Sequence, residues 1–150
     1  MALPQDWKEF IALLNSHHVE YVVVGAIAVS YHAHPRNTGD LDVLIRPTLE
    51  NAQRMPAVLN AFGFSGHGLQ PEDFIRPGKF LQLGVPPRRI DLLNQISGVA
   101  FDQLWDQRVF AEIEGTPVTL IGREALIQNK QAAGRDKDRA DLRMLGAPPK

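Results

Sequence analysis

Asp40-Leu41-Asp42-Val43-Leu44-Ile45 places two carboxylates within a run of apolar residues. The apolar residues predict a buried strand, and side chains two residues apart on a strand project from the same face. We therefore expect Asp40 and Asp42 to point side by side at one place. Two like charges held this close raise each other's pKa unless a cation lies between them. Carboxylate oxygens are preferred ligands of hard divalent cations, so the segment predicts a metal site.

The alternative interpretation is a pair of surface acids on an edge strand. It is disfavoured because the neighbouring residues are apolar and no cationic residue alternates with the acids. Burying two charges without a partner is costly, so we favour a functional reason for the pair.

Length and composition describe an ordinary globular chain. Its 150 residues suit one domain spanning residues 1–150 with a core of its own. The absence of cysteines excludes disulfides, thiolate metal sites and cysteine nucleophiles. The N-terminus lacks signal-peptide features and no apolar run reaches the ~20 residues of a membrane span, so we expect a cytoplasmic protein without membrane contact. A formal net charge of -1 provides no global basic field for a long nucleic acid but is compatible with a small anionic substrate.

Hydrophobic periodicity and turn residues predict alternating helices and strands. Helices are predicted over residues 4–17, 26–33, 48–62, 101–107, 123–133 and 138–145, with one helical turn near 71–74. Strands are predicted over 21–24, 40–45, 80–83, 89–93, 109–113 and 118–121, with residues 115–117 as a turn. The expected fold is α/β, with a small mixed β-sheet flanked by helices.

A third acid lies in another apolar strand, Arg89-Ile90-Asp91-Leu92-Leu93. Alone it is a weak signal, because a single acid on a strand is often paired with a nearby arginine such as Arg88 or Arg89. Together with the first pair, Asp91 would complete three carboxylates on neighbouring strands. Such a set suits two Mg²⁺ ions, or Mn²⁺, about 3.5–4 Å apart and arranged for in-line phosphoryl chemistry.

Gly25-Ala26 follows a predicted strand and opens a predicted helix. Free N–H groups at such a helix start favour phosphate groups, although a tight strand-to-helix turn explains the glycine equally well.

Several cations and a hydroxyl lie near these segments. Arg36 and Thr38 precede the acid pair, and Arg36 would either neutralise substrate phosphates or pair with Asp40. Lys130 and Arg135 flank a helix end, where they would either meet a triphosphate or form a solvated charged face.

The order Val24-Gly25-Ala26, a helix, residues 36–43 with the Asp-x-Asp pair, and a later strand acid at Asp91 resembles the nucleotidyltransferase superfamily typified by DNA polymerase beta. The closer resemblance is to small bacterial stand-alone members related to the nucleotidyltransferase toxins of abortive-infection systems, and it covers roughly residues 18–145.

The resemblance implies a set of roles. Asp40 and Asp42 would hold both metals, and Asp91 would complete the site near the attacking hydroxyl. The backbone at Gly25 would hold phosphates and Lys130 would touch the nucleotide. Ala26 departs from the family pattern, which has Ser or Gly at this position, so no hydroxyl is offered to a phosphate there.

Two functions from different classes follow. The first is an enzyme that moves a nucleoside monophosphate from a nucleoside triphosphate to an acceptor hydroxyl, on a protein or RNA that the sequence does not identify. The second is a catalytically weak or inactive module that acts as a toxin–antitoxin partner or nucleotide sensor, with a partner protein or a second copy of itself. An unrelated α/β domain with structural acids is a third interpretation.

Overall fold

Six apolar segments form one open mixed sheet in the computed structural model, which describes residues 2–35, 38–64, 68–78 and 81–150. The strands are β1 (Tyr21–Val24), β2 (Asp40–Ile45), β3 (Leu81–Leu83), β4 (Arg89–Leu93), β5 (Val109–Ile113) and β6 (Thr116–Leu120). Their order in the sheet is β3-β4-β2-β1-β6-β5. β2 is parallel to β4 and β1 to β6, whereas the other neighbouring pairs are antiparallel. The expected α/β fold with a mixed sheet is confirmed.

Helices pack on this sheet and on one another. They are α1 (Gln5–Ser16), α2 (Gly25–His32), α3 (Leu49–Ala52), α4 (Met55–Phe62), α5 (Phe101–Asp106), α6 (Arg123–Ala133) and α7 (Asp136–Met144), with a 3₁₀ turn at Pro71–Phe74. α1 contacts α4 and β6, α2 contacts β1 and β2, and α6 contacts α7. The core lies between these helices and the sheet, and its largest fully buried side chains include Trp7, Phe10, Leu14, Leu44 and Leu120.

The helix predicted over residues 48–62, with Pro56 expected to kink it or delay its start, is divided in two. Thr48 caps α3, because its side-chain oxygen accepts a hydrogen bond from the Asn51 N–H. Pro56 lies in the first turn of α4, where its missing N–H is tolerated, and it therefore begins a second helix instead of continuing the first.

The starts of α7 and β6 also differ from the sequence prediction, and α7 begins at Asp136 instead of residue 138. Residues 115–117 were predicted as a turn, but β6 already begins at Thr116, and the turn is made by Glu114 and Gly115 with φ of 50° and 82°. Pro117 is tolerated inside β6 because its main-chain groups point away from β5, so no hydrogen bond to β5 requires its missing N–H. Its carbonyl, on the side away from β5, accepts a hydrogen bond from Asn15 Nδ2. Phe80, predicted to start β3, lies outside the described residues.

No helix among the described residues is both long enough and apolar enough to cross a bilayer.

Candidate metal centre

The parallel register of β2 and β4 brings together the three acids identified in the sequence. Asp42 lies opposite Asp91, and Asp40 lies opposite Arg89. One carboxylate oxygen from each of the three aspartates lies within 4.8 Å of the other two. We call these three residues the aspartate triad. Asp91 is buried, with 4% of its surface exposed, whereas Asp40 and Asp42 are partly exposed.

Among the described residues, Arg89 is the cation in contact with the triad. Its Nη2 donates hydrogen bonds to Asp40 Oδ2 at 2.8 Å and to Asp91 Oδ2 at 3.1 Å. Its Nε also lies 2.9 Å from Asp91 Oδ1, so both oxygens of the buried Asp91 carboxylate face nitrogens of Arg89. The hydrogen bond to Asp91 raises the pKa of the Arg89 guanidinium. The sequence suggested Arg89 as a partner of Asp91 and gave no sign that it also binds Asp40.

Asp42 has a perturbed pKa. Burial, followed by the negative charges of Asp40 and Asp91, raises its pKa from 3.8 to about 7. The hydrogen bonds of Arg89 go to Asp40 and Asp91, and the positive charge of Lys130 lowers the pKa of Asp42 only in part. A second cation near Asp42 would therefore be stabilising.

Gly25 makes room for Asp42. The glycine begins α2 directly after β1, with φ of +70°, and Val24 lies opposite Asp42 in the β1–β2 ladder. A Cβ added to Gly25 would overlap Asp42 Oδ2 and would lie 2.9 Å from Asp42 Cγ. The glycine expected at a phosphate-facing turn therefore has a second reason to be there, which is close contact with a carboxylate of the triad.

A cavity of about 730 Å³ opens beside the triad. One wall is formed by the triad, Arg89 and the start of α2, and a second wall is formed by the end of α6 and the start of α7. That second wall carries the cations Lys130, Arg135 and Lys137 together with Asp141. Acids of the sheet and cations of α6 and α7 therefore line one space large enough for a small ligand.

Lys130 is buried in this second wall, with 7% of its surface exposed. Its Nζ lies 3.0 Å from Asp141 Oδ2 and 3.3 Å from Asp138 Oδ1. Arg135 also bonds the Asp138 carboxylate, through its main-chain N–H at 3.1 Å and its Nε at 2.7 Å. Burial alone would raise the pKa of Asp138, but these donors and the Lys130 charge lower it overall. We call these four residues the α6–α7 network.

The α6–α7 network was not expected from the sequence. Asp138 follows Arg135 by three residues, which is capping-box spacing at a helix start, and this was the one available signal. Lys130, expected to touch a nucleotide, lies at the cavity, and its amine also joins α6 to α7.

Thr38 holds the start of β2. Its hydroxyl donates to the Asp40 carbonyl at 3.1 Å and lies 3.3 Å from Asp40 Oδ1. Thr38 does not line the cavity, and its contacts indicate that it orients Asp40 instead of binding a ligand there. Arg36, the other residue expected here, lies outside the described residues.

The aspartate triad fits a divalent cation. It offers carboxylate oxygens from three residues, and these oxygens lie within 4.8 Å of one another. The raised pKa of Asp42, caused first by burial and then by the charges of Asp40 and Asp91, shows that its ionised form is disfavoured without a nearby cation. Asp40, Asp42 and Asp91 would hold the ion.

The sequence matches no protein-family model and no curated protein. Solved structures match its fold. A proposed nucleotidyltransferase from Thermotoga maritima aligns over 91% of this chain and 88% of its own, with a TM-score of 0.62 and 17% identity. An antigenic nucleotidyltransferase-like protein from Paracoccidioides brasiliensis aligns over 95% of this chain and 75% of its own, with a TM-score of 0.56 and 19% identity. The chain therefore shares the fold of these nucleotidyltransferase-like structures.

Proposed function

We propose that this chain is a metal-dependent nucleotidyltransferase that moves a nucleoside monophosphate from a nucleoside triphosphate to an acceptor hydroxyl. The observation that carries the proposal is the convergence of Asp40, Asp42 and Asp91, from two parallel strands, on a cavity whose second wall carries cations. Carboxylates that gather on one side of a ligand-sized cavity are the arrangement expected for metal-assisted phosphoryl transfer.

The aspartate triad would hold Mg²⁺ or Mn²⁺, and such an ion would neutralise phosphate charge and polarise the phosphoryl oxygens as a Lewis acid. The start of α2 would bind phosphate oxygens through the free N–H groups of its first turn. Ala26 contributes such an N–H group but no hydroxyl. On the second wall, Lys137 and Arg135 would bind the outer phosphates, while Lys130 supplies positive charge from within the α6–α7 network.

In the proposed reaction, the acceptor oxygen attacks the α-phosphorus and the bond to pyrophosphate breaks. The acceptor's proton passes to a carboxylate of the triad, and we assign this role to Asp91. The other residues of the site act by orientation and by stabilising charge, as in phosphoryl transfer generally. The acceptor is a protein or an RNA.

The test is label transfer. The protein is incubated with each of the four α-labelled nucleoside triphosphates, with Mg²⁺ or Mn²⁺, and with cell extract as the source of acceptor. We expect label to appear on a macromolecule and to disappear in Asp42→Asn, which keeps the size of the side chain. Asp136→Asn, on an exposed acid of α7, should transfer label normally. Absence of transfer with every nucleotide, or equal transfer by Asp42→Asn, would contradict the proposal.

The second candidate is a nucleotide-binding module, either a sensor or a partner in a toxin–antitoxin pair. Two observations favour it: Ala26 lacks the hydroxyl of the family pattern, and both Lys130 and Arg135 are engaged by Asp138. Calorimetry with a non-hydrolysable nucleoside triphosphate distinguishes the candidates. Saturable binding without label transfer, or a stable co-purifying partner chain, would support the module, whereas turnover by the isolated chain would exclude it.

A further inference from the structure

One edge of the sheet is formed by β5. Among the described residues β5 pairs with β6 alone, so its other side faces outward. Phe110, at the centre of β5, is 72% exposed, and Glu112 is also exposed. An open strand with an exposed aromatic residue presents unpaired main-chain groups to any second strand. We call Arg108, Phe110 and Glu112 the β5 edge; the cavity beside the aspartate triad is lined by none of them.

The hydrogen bonds of β6 show which main-chain groups of β5 face outward. Phe110 lies opposite Thr119, whose N–H donates to the Tyr21 hydroxyl at 3.2 Å, on the side away from β5. Glu112 lies opposite Pro117, which has no N–H and whose carbonyl accepts from Asn15 at 2.8 Å.

Facing residues of an antiparallel pair exchange either both main-chain hydrogen bonds or neither. Phe110 and Glu112 therefore exchange none with β6, and their N–H and C=O groups point to the open side. Neither makes another main-chain hydrogen bond within the described part of the chain.

The side chains of the β5 edge are complementary to themselves. Arg108-Val109-Phe110-Ala111-Glu112 carries opposite charges at equal distances from its central aromatic residue. Alternate residues share a face of the strand, so all three edge side chains lie on the same face. Arg108 is held there, with its guanidinium 3.9 Å from the Trp105 ring centroid and its Nη1 donating to the Trp105 carbonyl at 2.5 Å.

We propose that β5 pairs antiparallel with β5 of a second copy of this chain, centred on Phe110, and joins two six-stranded sheets into one. In this register each Arg108 lies opposite Glu112 of the second copy, and the two Phe110 side chains lie opposite each other. The two Phe110 residues exchange their N–H and C=O groups, and each Glu112 N–H donates to the Arg108 carbonyl of the second copy. Opposite charges and aromatic pairs in facing positions stabilise antiparallel strands.

The test is the oligomeric state of the full chain, measured by sedimentation velocity across ~1–100 µM at two salt concentrations. We expect a dimer. Glu112→Arg places two like-charge pairs in the interface, and we expect the dissociation constant to rise by tenfold or more. Arg108→Glu combined with Glu112→Arg restores both pairs in reverse and should recover the dimer. Glu9→Arg makes the same charge change at an exposed residue of α1, outside β5, and should leave the dimer intact.

Phe110→Lys provides a second test, since it should weaken the dimer without depending on the charge pair. Circular dichroism and thermal melting establish that each variant remains folded. A wild-type chain that is monomeric at every concentration would overturn the proposal, and so would a dimer that is indifferent to Glu112→Arg and to Phe110→Lys. A monomer that binds an extended segment of another protein at β5 would also overturn it, because the occupant would then not be a second copy.

Discussion

Replacing Gly25 with alanine should disturb the aspartate triad through a single added methyl group. The added Cβ would overlap the Asp42 carboxylate, so either the side chain of Asp42 or the start of α2 must shift. We expect Gly25→Ala to lower the free energy of unfolding and to weaken Mn²⁺ binding in the absence of any nucleotide. Weaker Mn²⁺ binding without nucleotide would show that Gly25 is needed to accommodate the Asp42 carboxylate, because a glycine needed only for phosphate binding would have no effect when phosphate is absent.

The magnitude has two parts. Alanine at a left-handed backbone position costs about 1–2 kcal/mol, and Gly25 has φ of +70°. Forcing an extra methyl group against packed atoms costs about 1–3 kcal/mol more. Gly146→Ala is the matched control, because Gly146 has φ of +71° and nothing lies within 4 Å of its added Cβ. We therefore expect Gly25→Ala to lose roughly 2–5 kcal/mol and Gly146→Ala roughly 1–2 kcal/mol.

The assay is urea unfolding of both variants in wild-type and Asp42→Ala backgrounds. Truncating Asp42 removes Oδ2 and Cγ but keeps Cβ, which would lie 3.1 Å from the added methyl group. In that background the loss caused by Gly25→Ala should therefore fall most of the way towards that of Gly146→Ala. Mn²⁺ binding, followed by electron paramagnetic resonance, should weaken tenfold or more in Gly25→Ala and remain unchanged in Gly146→Ala. Equal losses in both backgrounds, or unchanged Mn²⁺ binding by Gly25→Ala, would refute the reasoning.

Three further variants test the charges around the cavity by urea unfolding of the metal-free protein. Because the pKa of Asp42 is raised, the folded protein holds a proton that the unfolded chain has lost between about pH 4 and pH 7, so the free energy of unfolding falls as pH rises through this window. Asp42→Asn should therefore be more stable than the wild type by roughly 1–3 kcal/mol at pH 8 and by little at pH 4. Equal stability of the two proteins at pH 8 would contradict this. Arg89→Gln leaves Asp40 and Asp91 without the cation that contacts them and should lower the free energy of unfolding, with most of the loss recovered by Mn²⁺. Arg88→Gln, on an exposed neighbour, should change stability by less than ~0.5 kcal/mol. Matching losses in the two variants would count against the assigned contacts. Lys130→Met removes the amine that lies between the buried carboxylates of Asp138 and Asp141 and should lose about 3–5 kcal/mol, against ~0.5 kcal/mol for the exposed Lys137→Met. A loss below ~1 kcal/mol would show that the α6–α7 network is not what joins the two helices.

The sequence predicted the strands that carry the triad with their observed bounds. β2 and β4 are dense in apolar residues and bounded by turns, so local pattern alone defines them. The expectation that Asp40 and Asp42 share a face follows from strand geometry, and the structure places them together with Asp91. What local pattern could not specify was the register between two strands distant in the chain, because many registers are compatible with apolar strands of similar length.

The remaining features depend on tertiary contacts that have no local signature. Arg89 contacts Asp40 because the two residues lie opposite each other in separate strands, and Gly25 contacts Asp42 because β1 lies beside β2. Lys130 resembled a solvated helix residue in the sequence, since the acids that enclose it become neighbours only when α7 folds back on α6. The boundary of β6 was misplaced because Pro117 is a strong turn residue, and the direction of its main chain is visible only in the sheet.

The pairing of β2 with β4 also determines when the site can exist. Asp42 and Asp91 belong to strands separated by residues 46–88, so a chain interrupted anywhere in that stretch carries an incomplete set of ligands. A slip of β4 by one residue would turn Asp91 to the opposite face of the sheet and remove it from the site. Binding of a divalent ion by all three aspartates would therefore require β2 and β4 to be paired in their native register. A chain with unpaired or misaligned strands would lack at least one of the three ligands.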